Sequence, residues 1–377
     1  MGGLVDGERG SATLHSAAPA PSATAPHVGP LDGVRGIAIL AVIAFHFAIE
    51  VAPGGAFGVD LFFALSAFLI TGMLLRERAR HGRVDMPAFY VRRAARLFPA
   101  LVIFLALIAP PIAVFLGNAA GIPLSTLAVA FYVSDFGVAG YFPIVEPYGH
   151  TWSLAVEEQF YLVWPVTLLL LLRLRARLIL VGLAIFAGGV AVATVMTSVV
   201  GVGANYFLPT GHLPALAAGV LAAFIAAQGL TPRTTWIAGS PVAWGGLVAL
   251  VLMFTLPRAT WPQLLQDLVP AAALLLTVGL LLHAASGARS SMNWLLSNPV
   301  LRWFGTRSYG IYLYHTALFW LFATGFTPFN RPVDTVLAVG LSLVISELSF
   351  RYVERPFTER GRTWSLARRQ RVATISA

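Results

Sequence analysis

GVRGIAILAVIAFHFA, residues 33–48, is apolar throughout except for two ionisable side chains, Arg35 near its start and His46 near its end. At 100° per residue, the eleven steps between them make three turns plus about 20°, so both share one helix face. They stand roughly 16 Å apart along the axis, about half the hydrocarbon thickness of a bilayer. The spacing predicts a membrane helix with a fixed cation near one surface and a titratable base near the middle. Ionisable groups at such depth are costly and mark working sites. The alternative is an arginine that snorkels to the headgroups above a hydrogen-bonded packing histidine.

The rest of the chain places this helix in a larger set. Its 377 residues are 58% hydrophobic and 11% charged, which excludes a soluble globule and predicts an all-α, polytopic membrane protein. Cysteine is absent, excluding disulfides, thiolate catalysis and Cys metal sites, and the net charge of +9 comes from arginine without any lysine. Ten apolar runs are long enough to span, at about 34–52, 57–75, 97–117, 152–172, 178–198, 213–228, 241–257, 267–283, 303–324 and 333–350. Residues 123–138 are shorter and broken by polar side chains, and read as a re-entrant or outward-facing helix. Residues 1–30, rich in Ala, Pro, Ser and Gly, read as a disordered tail with no signal-peptide core. Residues 31–357 then form the transmembrane domain, and 358–377 a basic cytoplasmic tail.

Arginine counting orients the spans. With the N-terminus inside, the inner segments hold Arg76, Arg78, Arg80, Arg83, Arg92, Arg93, Arg96, Arg173, Arg175, Arg177, Arg233, Arg289, Arg302 and the seven from Arg351 to Arg371, while the outer ones hold only Arg258 and Arg331. Counting 123–138 as a full span would put Arg173, Arg175 and Arg177 outside, against the positive-inside bias. Both termini are therefore expected in the cytoplasm. The basic balance belongs to the membrane's inner face, and nucleic-acid binding drops out.

Four constellations have chemical content. GHTWSLAVEEQFYLVWP sets Glu157 and Glu158 inside the fourth span, about 100° apart, so both can hardly face one cavity. An interior carboxylate beside a histidine suits general acid–base work; the alternative is a packing hydrogen bond. AFYVRRAARLFPA sets Arg92, Arg93 and Arg96 at the start of the third span, where planar guanidiniums would suit phosphate, or anionic lipid headgroups instead. In SYGIYLYHTALF, Ser308, Tyr312 and His315 form one stripe that could line a path or glue helices together. Asp60 opens the second span within GVDLFFALSAFLIT, suited to a helix-terminal anchor, and His150 and His212 lie at outer boundaries as weak candidates. Glu347, Glu354 and Arg355 read as structural. Metal binding lacks support: there is no HExxH pattern or cluster of closely spaced ligands.

These segments, in this order, resemble the bacterial membrane acyltransferase-3 family, which O-acylates carbohydrates and related molecules. The resemblance covers nearly all of the chain after residue 30. It rests on LDGVRGIAILAVIAFH with its Arg-x₁₀-His spacing, GVDLFFALSAFLIT, FYVRRAARLFPA, TWSLAVEEQFYLVWP, SYGIYLYH and RYVERPF. It implies ten membrane helices in a bacterial inner membrane and acyl-CoA, usually acetyl-CoA, as co-substrate from the cytoplasmic side. It also implies that Arg35 and His46 are essential and that Arg92, Arg93, Arg96 and Glu157 are the matching motif residues. One departure is Ser66-Ala67 where the family usually has Ser-Gly, which puts local helix spacing in question. Another is the lack of the soluble SGNH-type domain that some members carry, which leaves a carbohydrate, glycolipid or secondary-metabolite acceptor open.

The expected function is acyl transfer, mainly acetyl, from CoA to a hydroxyl. His46 acts as general base with Glu157 orienting or charging it, and Arg92, Arg93, Arg96 and Arg35 hold CoA phosphates. Asp60, Ser66, Tyr312 and His315 lie along a substrate path. The competing class is a proton-coupled transporter or flippase without chemistry, which intramembrane His and Glu would also suit.

Overall fold

A backbone in hydrocarbon must satisfy its own N–H and C=O groups, so each apolar run resolves into a helix. The computed structural model describes residues 28–116, 121–174, 176–229, 235–257, 261–323 and 331–376. Residues 1–27 of the expected tail, with Arg175, Arg233 and Arg258, lie outside them. In order, the helices are α1 (Val28–Phe47), α2 (Phe57–His81), α3 (Met86–Leu116), α4 (Gly121–Ala130), α5 (Ser134–Val138), α6 (Trp152–Arg173), α7 (Leu178–Val200), α8 (Val202–Phe207), α9 (Leu213–Gln228), α10 (Ser240–Thr255), α11 (Gln263–Ala285), α12 (Ser291–Leu296), α13 (Pro299–Leu321), α14 (Arg331–Ser349) and α15 (Arg355–Ser376). No strand occurs among the described residues.

Among those residues, eight helices are long and apolar enough to cross a membrane. The other two expected spans fall on α10, at 16 residues, and on α13, whose Arg302, Arg307 and hydroxyls dilute its hydropathy. The stretch expected to be re-entrant or outward-facing breaks into α4 and α5, of 10 and 5 residues, too short to cross. Large apolar side chains such as Phe98, Leu107, Leu162, Leu180 and Val199 are exposed, as a hydrocarbon surround requires.

α1 starts and stops earlier than the expected 34–52, and the chain turns through 48–56. His46 therefore stands in α1's last turn rather than at mid-span. Arg35 lies in its second turn.

Close backbone contact fixes α1 against α13. A Cβ at Gly305 would sit 1.8 Å from the Asp32 carbonyl oxygen, and one at Gly36 2.1 Å from that of Leu301. On the other side of the centre, α9 packs as closely on α2: a Cβ at Gly219 would lie 2.0 Å from the Ala64 carbonyl oxygen and 2.9 Å from the Ala67 Cβ. The Ala67 departure is thus absorbed across the interface, where the partner helix supplies the missing space.

α14 runs through a π-helical turn, Phe350–Glu354, into α15, making a continuous helix of 40 residues over 332–371. That is roughly 60 Å, twice the hydrocarbon thickness, so the polar second half projects past the membrane at the arginine-rich end. The segment expected as a tail is therefore a helix. It docks on the first turns of α3 and the end of α2 through Arg368–Asp85 at 3.3 Å, Arg369–Glu77 at 2.5 Å and Gly361 beside Ala95.

Gly305→Ala should cost about 1–3 kcal/mol or more, because backbone and not a flexible side chain must move. The expected readout is a lowered thermal midpoint of the detergent-solubilised protein, with Gly340→Ala, where a Cβ meets nothing, as the neutral control.

Candidate active site

One stripe of α2 organises the site. Val59, Phe62, Phe63 and Ser66 recur at helical spacing and line a cavity between α1, α2, α3, α6 and α13. Its other walls are Arg35, Arg93, Arg96, Leu97, Ser153, Leu154, Glu157, Ser308, Tyr309 and Tyr312. The stripe continues through Leu69, Ile70 and Met73 into an adjoining cavity that shares Arg35, Ser66, Arg93 and Arg96 and adds Arg92 and Tyr161. The two form a passage that is basic at one end and lined by hydroxyls at the other.

Glu157 stands at the middle of this passage. Its Oε1 accepts a hydrogen bond from Ser66 Oγ at 2.5 Å and another from the Tyr161 hydroxyl, and lies 3.5 Å from Arg93 Nη2. Arg93 Nε also donates to Glu158 Oε1 at 3.1 Å, and its guanidinium carbon lies 3.4 Å from the Tyr161 ring centre. Only Glu157 lines the cavity, as adjacent helical residues demand. Both carboxylates nevertheless reach one guanidinium, because arginine's length bridges the angle between them.

The arginines expected as a trio separate into different tasks. Arg93 is consumed by the glutamates. Arg92 turns to Glu77 at 3.5 Å. Arg96 is exposed into both cavities and makes no salt bridge or hydrogen bond among the described residues. Arg35 joins it there, held by Asp32 Oδ1 at 3.1 Å.

His46 lies beyond the hydroxyl-lined end. Its Nδ1–H donates to the Val42 carbonyl at 2.9 Å, since a carbonyl can only accept, and this leaves the Nε2 lone pair available in the neutral ring. The expected pairing with Glu157 is absent from the contacts of either residue, and the backbone carbonyl orients the imidazole instead. The ring packs edge-on against His315, centroids 4.9 Å apart, and His315 in turn lies 5.7 Å from His150 and 5.4 Å from Tyr312. Tyr312 closes the passage toward this cluster: its hydroxyl donates to the His150 carbonyl at 2.9 Å and accepts from Ser153 Oγ at 2.5 Å.

Asp60 belongs elsewhere. It pairs with His212 Nδ1 at 2.7 Å and lines a separate cavity with Asn205, Thr197 and Gln266 toward the far ends of α7 and α9. Glu347 is structural, bound to Arg307 at 2.5 Å and Arg351 at 2.9 Å. Ser153 and Tyr161 escaped the sequence reading, although each lies four residues from Glu157 on its own face. His150 was undervalued because nothing local brings it to α13.

Residues 29–350 match the model of a family described as an acyltransferase domain. The chain is similar to the peptidoglycan O-acetyltransferase OatA of Listeria monocytogenes, at 32% identity over 89% of this chain and 56% of that protein. A putative O-acetyltransferase of Staphylococcus aureus is 28% identical over 89% of this chain and 58% of its own length. A putative peptidoglycan O-acetyltransferase of Bacillus subtilis, YrhL, is 29% identical over 89% and 55%. The chain thus spans a little over half the length of these relatives. No solved structure matches it.

Arg93→Gln should leave Glu157 and Glu158 facing each other without a cation and cost about 3–5 kcal/mol, as when one partner of a buried pair is removed. Thermal unfolding in detergent should show a large loss, and Glu157→Gln in the same background should recover part of it.

Proposed function

The chain belongs to the acyltransferase-3 family, and on that premise we propose that it is a membrane O-acetyltransferase using acyl-CoA, entering at the arginine-rich end, and a carbohydrate hydroxyl as acceptor. The observation that carries this reading is the passage itself. Cationic surface, from Arg96 without a partner among the described residues and from Arg35 beside Asp32, lies at one end, and an imidazole with a free Nε2 lies just beyond the other.

Dimensions support the donor's placement. About twelve bonds separate the thioester sulfur of CoA from its first phosphate-ester oxygen, roughly 14 Å when extended like a peptide. On α2 that is about nine residues. With sulfur at the level of Val59 and Tyr312, the pyrophosphate falls at Leu69–Ile70, where Arg35 and Arg96 face the cavity. Guanidiniums there pair with phosphate oxygens as charge-assisted donors.

The chemistry is a direct acyl transfer. His46 Nε2 takes the acceptor's hydroxyl proton as its oxygen attacks the thioester carbonyl carbon. The tetrahedral intermediate collapses with cleavage of the C–S bond, and the leaving thiolate is protonated by the imidazolium, regenerating the base. Val42 holds the productive tautomer, and His315 restricts the ring by edge-on packing. Glu157 is a positioning residue that ties Ser66 and Tyr161 to Arg93 and shapes the passage wall.

His46→Ala should lower acetyl transfer by about 100-fold or more while acetyl-CoA still binds; turnover near the unsubstituted rate would overturn the base assignment. Arg96→Gln should weaken acetyl-CoA binding by about tenfold with the protein still folded, because the guanidinium supports no other group. Equilibrium binding of labelled acetyl-CoA measures this, and unchanged affinity would remove Arg96 from the donor site.

A further inference from the structure

The cavity stripe on α2 does not stop at Met73. It continues through Arg76, Glu77 and Arg80 into a third cavity that shares Met73 and Arg92 with the passage and is closed by Arg362, Ser365 and Arg369 of α15. The lining holds five arginines against one glutamate. Glu77, buried, serves two of them: Arg92 at 3.5 Å and Arg369 at 2.5 Å, besides accepting the Asp85 amide at 3.1 Å. Arg76 and Arg362 have no salt bridge or hydrogen bond among the described residues, so their charge faces the cavity uncompensated.

The helix that closes this cavity is firmly placed. Arg368 of α15 meets Asp85, in the turn between α2 and α3. Burial alone would raise the Asp85 carboxyl, but the Ala88 amide and the Arg368 guanidinium more than reverse this, and its pKa lies below the ordinary value. Thr358, also on α15, reaches the second cavity, so one helix walls both compartments.

CoA carries anionic charge at two places, the pyrophosphate and the 3′-phosphate of its adenosine. With the pyrophosphate at Leu69–Ile70, the nucleotide end extends toward Met73–Arg80, roughly 5–15 Å further along α2. We infer that the rim cavity binds the 3′-phosphorylated adenosine of the donor, with Arg76 and Arg362 as phosphate ligands and α15 as part of the donor site. This rests on the acyl-CoA reading above. The same guanidiniums would also suit the phosphate of an anionic lipid, so the test separates the two sources.

The test uses the full detergent-purified chain, CoA and dephospho-CoA, with affinities measured by calorimetry for the unsubstituted protein and for the Arg76→Gln/Arg362→Gln double variant. The unsubstituted protein should prefer CoA by about tenfold or more, the scale of lost charge-assisted contacts. The double variant should bind CoA as weakly as dephospho-CoA, with its dephospho-CoA affinity unchanged. A preference that survives in the variant overturns the inference. So does a variant that loses only co-purifying anionic phospholipid while CoA affinity stays constant, which would assign the cavity to a lipid headgroup. Failure of the unsubstituted protein to bind either coenzyme would instead strike the acyl-CoA reading itself.

Discussion

The backbone contact between α1 and α13 is the constraint on which the site depends. Apolar side chains gain little by associating with one another in lipid, so close approach at small residues has to hold the helices. Gly36 and Gly305 let the two backbones touch, and this lays Arg35 and His46 alongside Ser308, Tyr312 and His315. A wider separation would part the His46 and His315 rings and open the passage wall between Arg35 and Ser308. Gly219 does the same for α2 and α9, holding the cavity stripe of α2 in position from behind.

Charge is distributed along that stripe with few spare carboxylates. Glu157 and Glu158 take Arg93, Asp32 takes Arg35, and Glu77 takes Arg92 and Arg369. These pairings offset cationic charge that would otherwise be costly at low dielectric, with Glu77 shared between two arginines. Arg96, Arg76 and Arg362 are left over. They lie on one continuous surface running from the membrane interior to the rim, a distribution suited to an elongated ligand with separated phosphates rather than to a compact anion.

Much of the fold was legible because hydrocarbon imposes one rule on every span. Long apolar runs had to be helices, and among the described residues eight are long and apolar enough to cross. Helix ends were less legible: α1 stops at Phe47, which puts His46 in its last turn. The length of α15 was hidden because a polar helix has no hydropathy signal. Within the site, Arg35, Ser66, Arg93, Arg96, Glu157 and Tyr312 line one passage, while their partnerships differ from those expected. Arg92, Arg93 and Arg96 looked like one cluster on helical spacing, yet Arg92 turns to Glu77 of α2, Arg93 to Glu157 and Glu158 of α6, and Arg96 to neither.

By itself, the sequence determined the all-helical membrane architecture, the concentration of arginine in the segments between spans, and the shared face of Arg35 and His46, because these follow from local periodicity and solvent. Only the tertiary structure decided that Val42 and not Glu157 orients His46, that Glu157 and Glu158 share Arg93, and that Asp60 belongs with His212. It also decided that Arg96 is left uncommitted. Those outcomes depend on which helices lie side by side and how closely. Packing between distant segments sets that, and helical spacing within one segment carries no record of it.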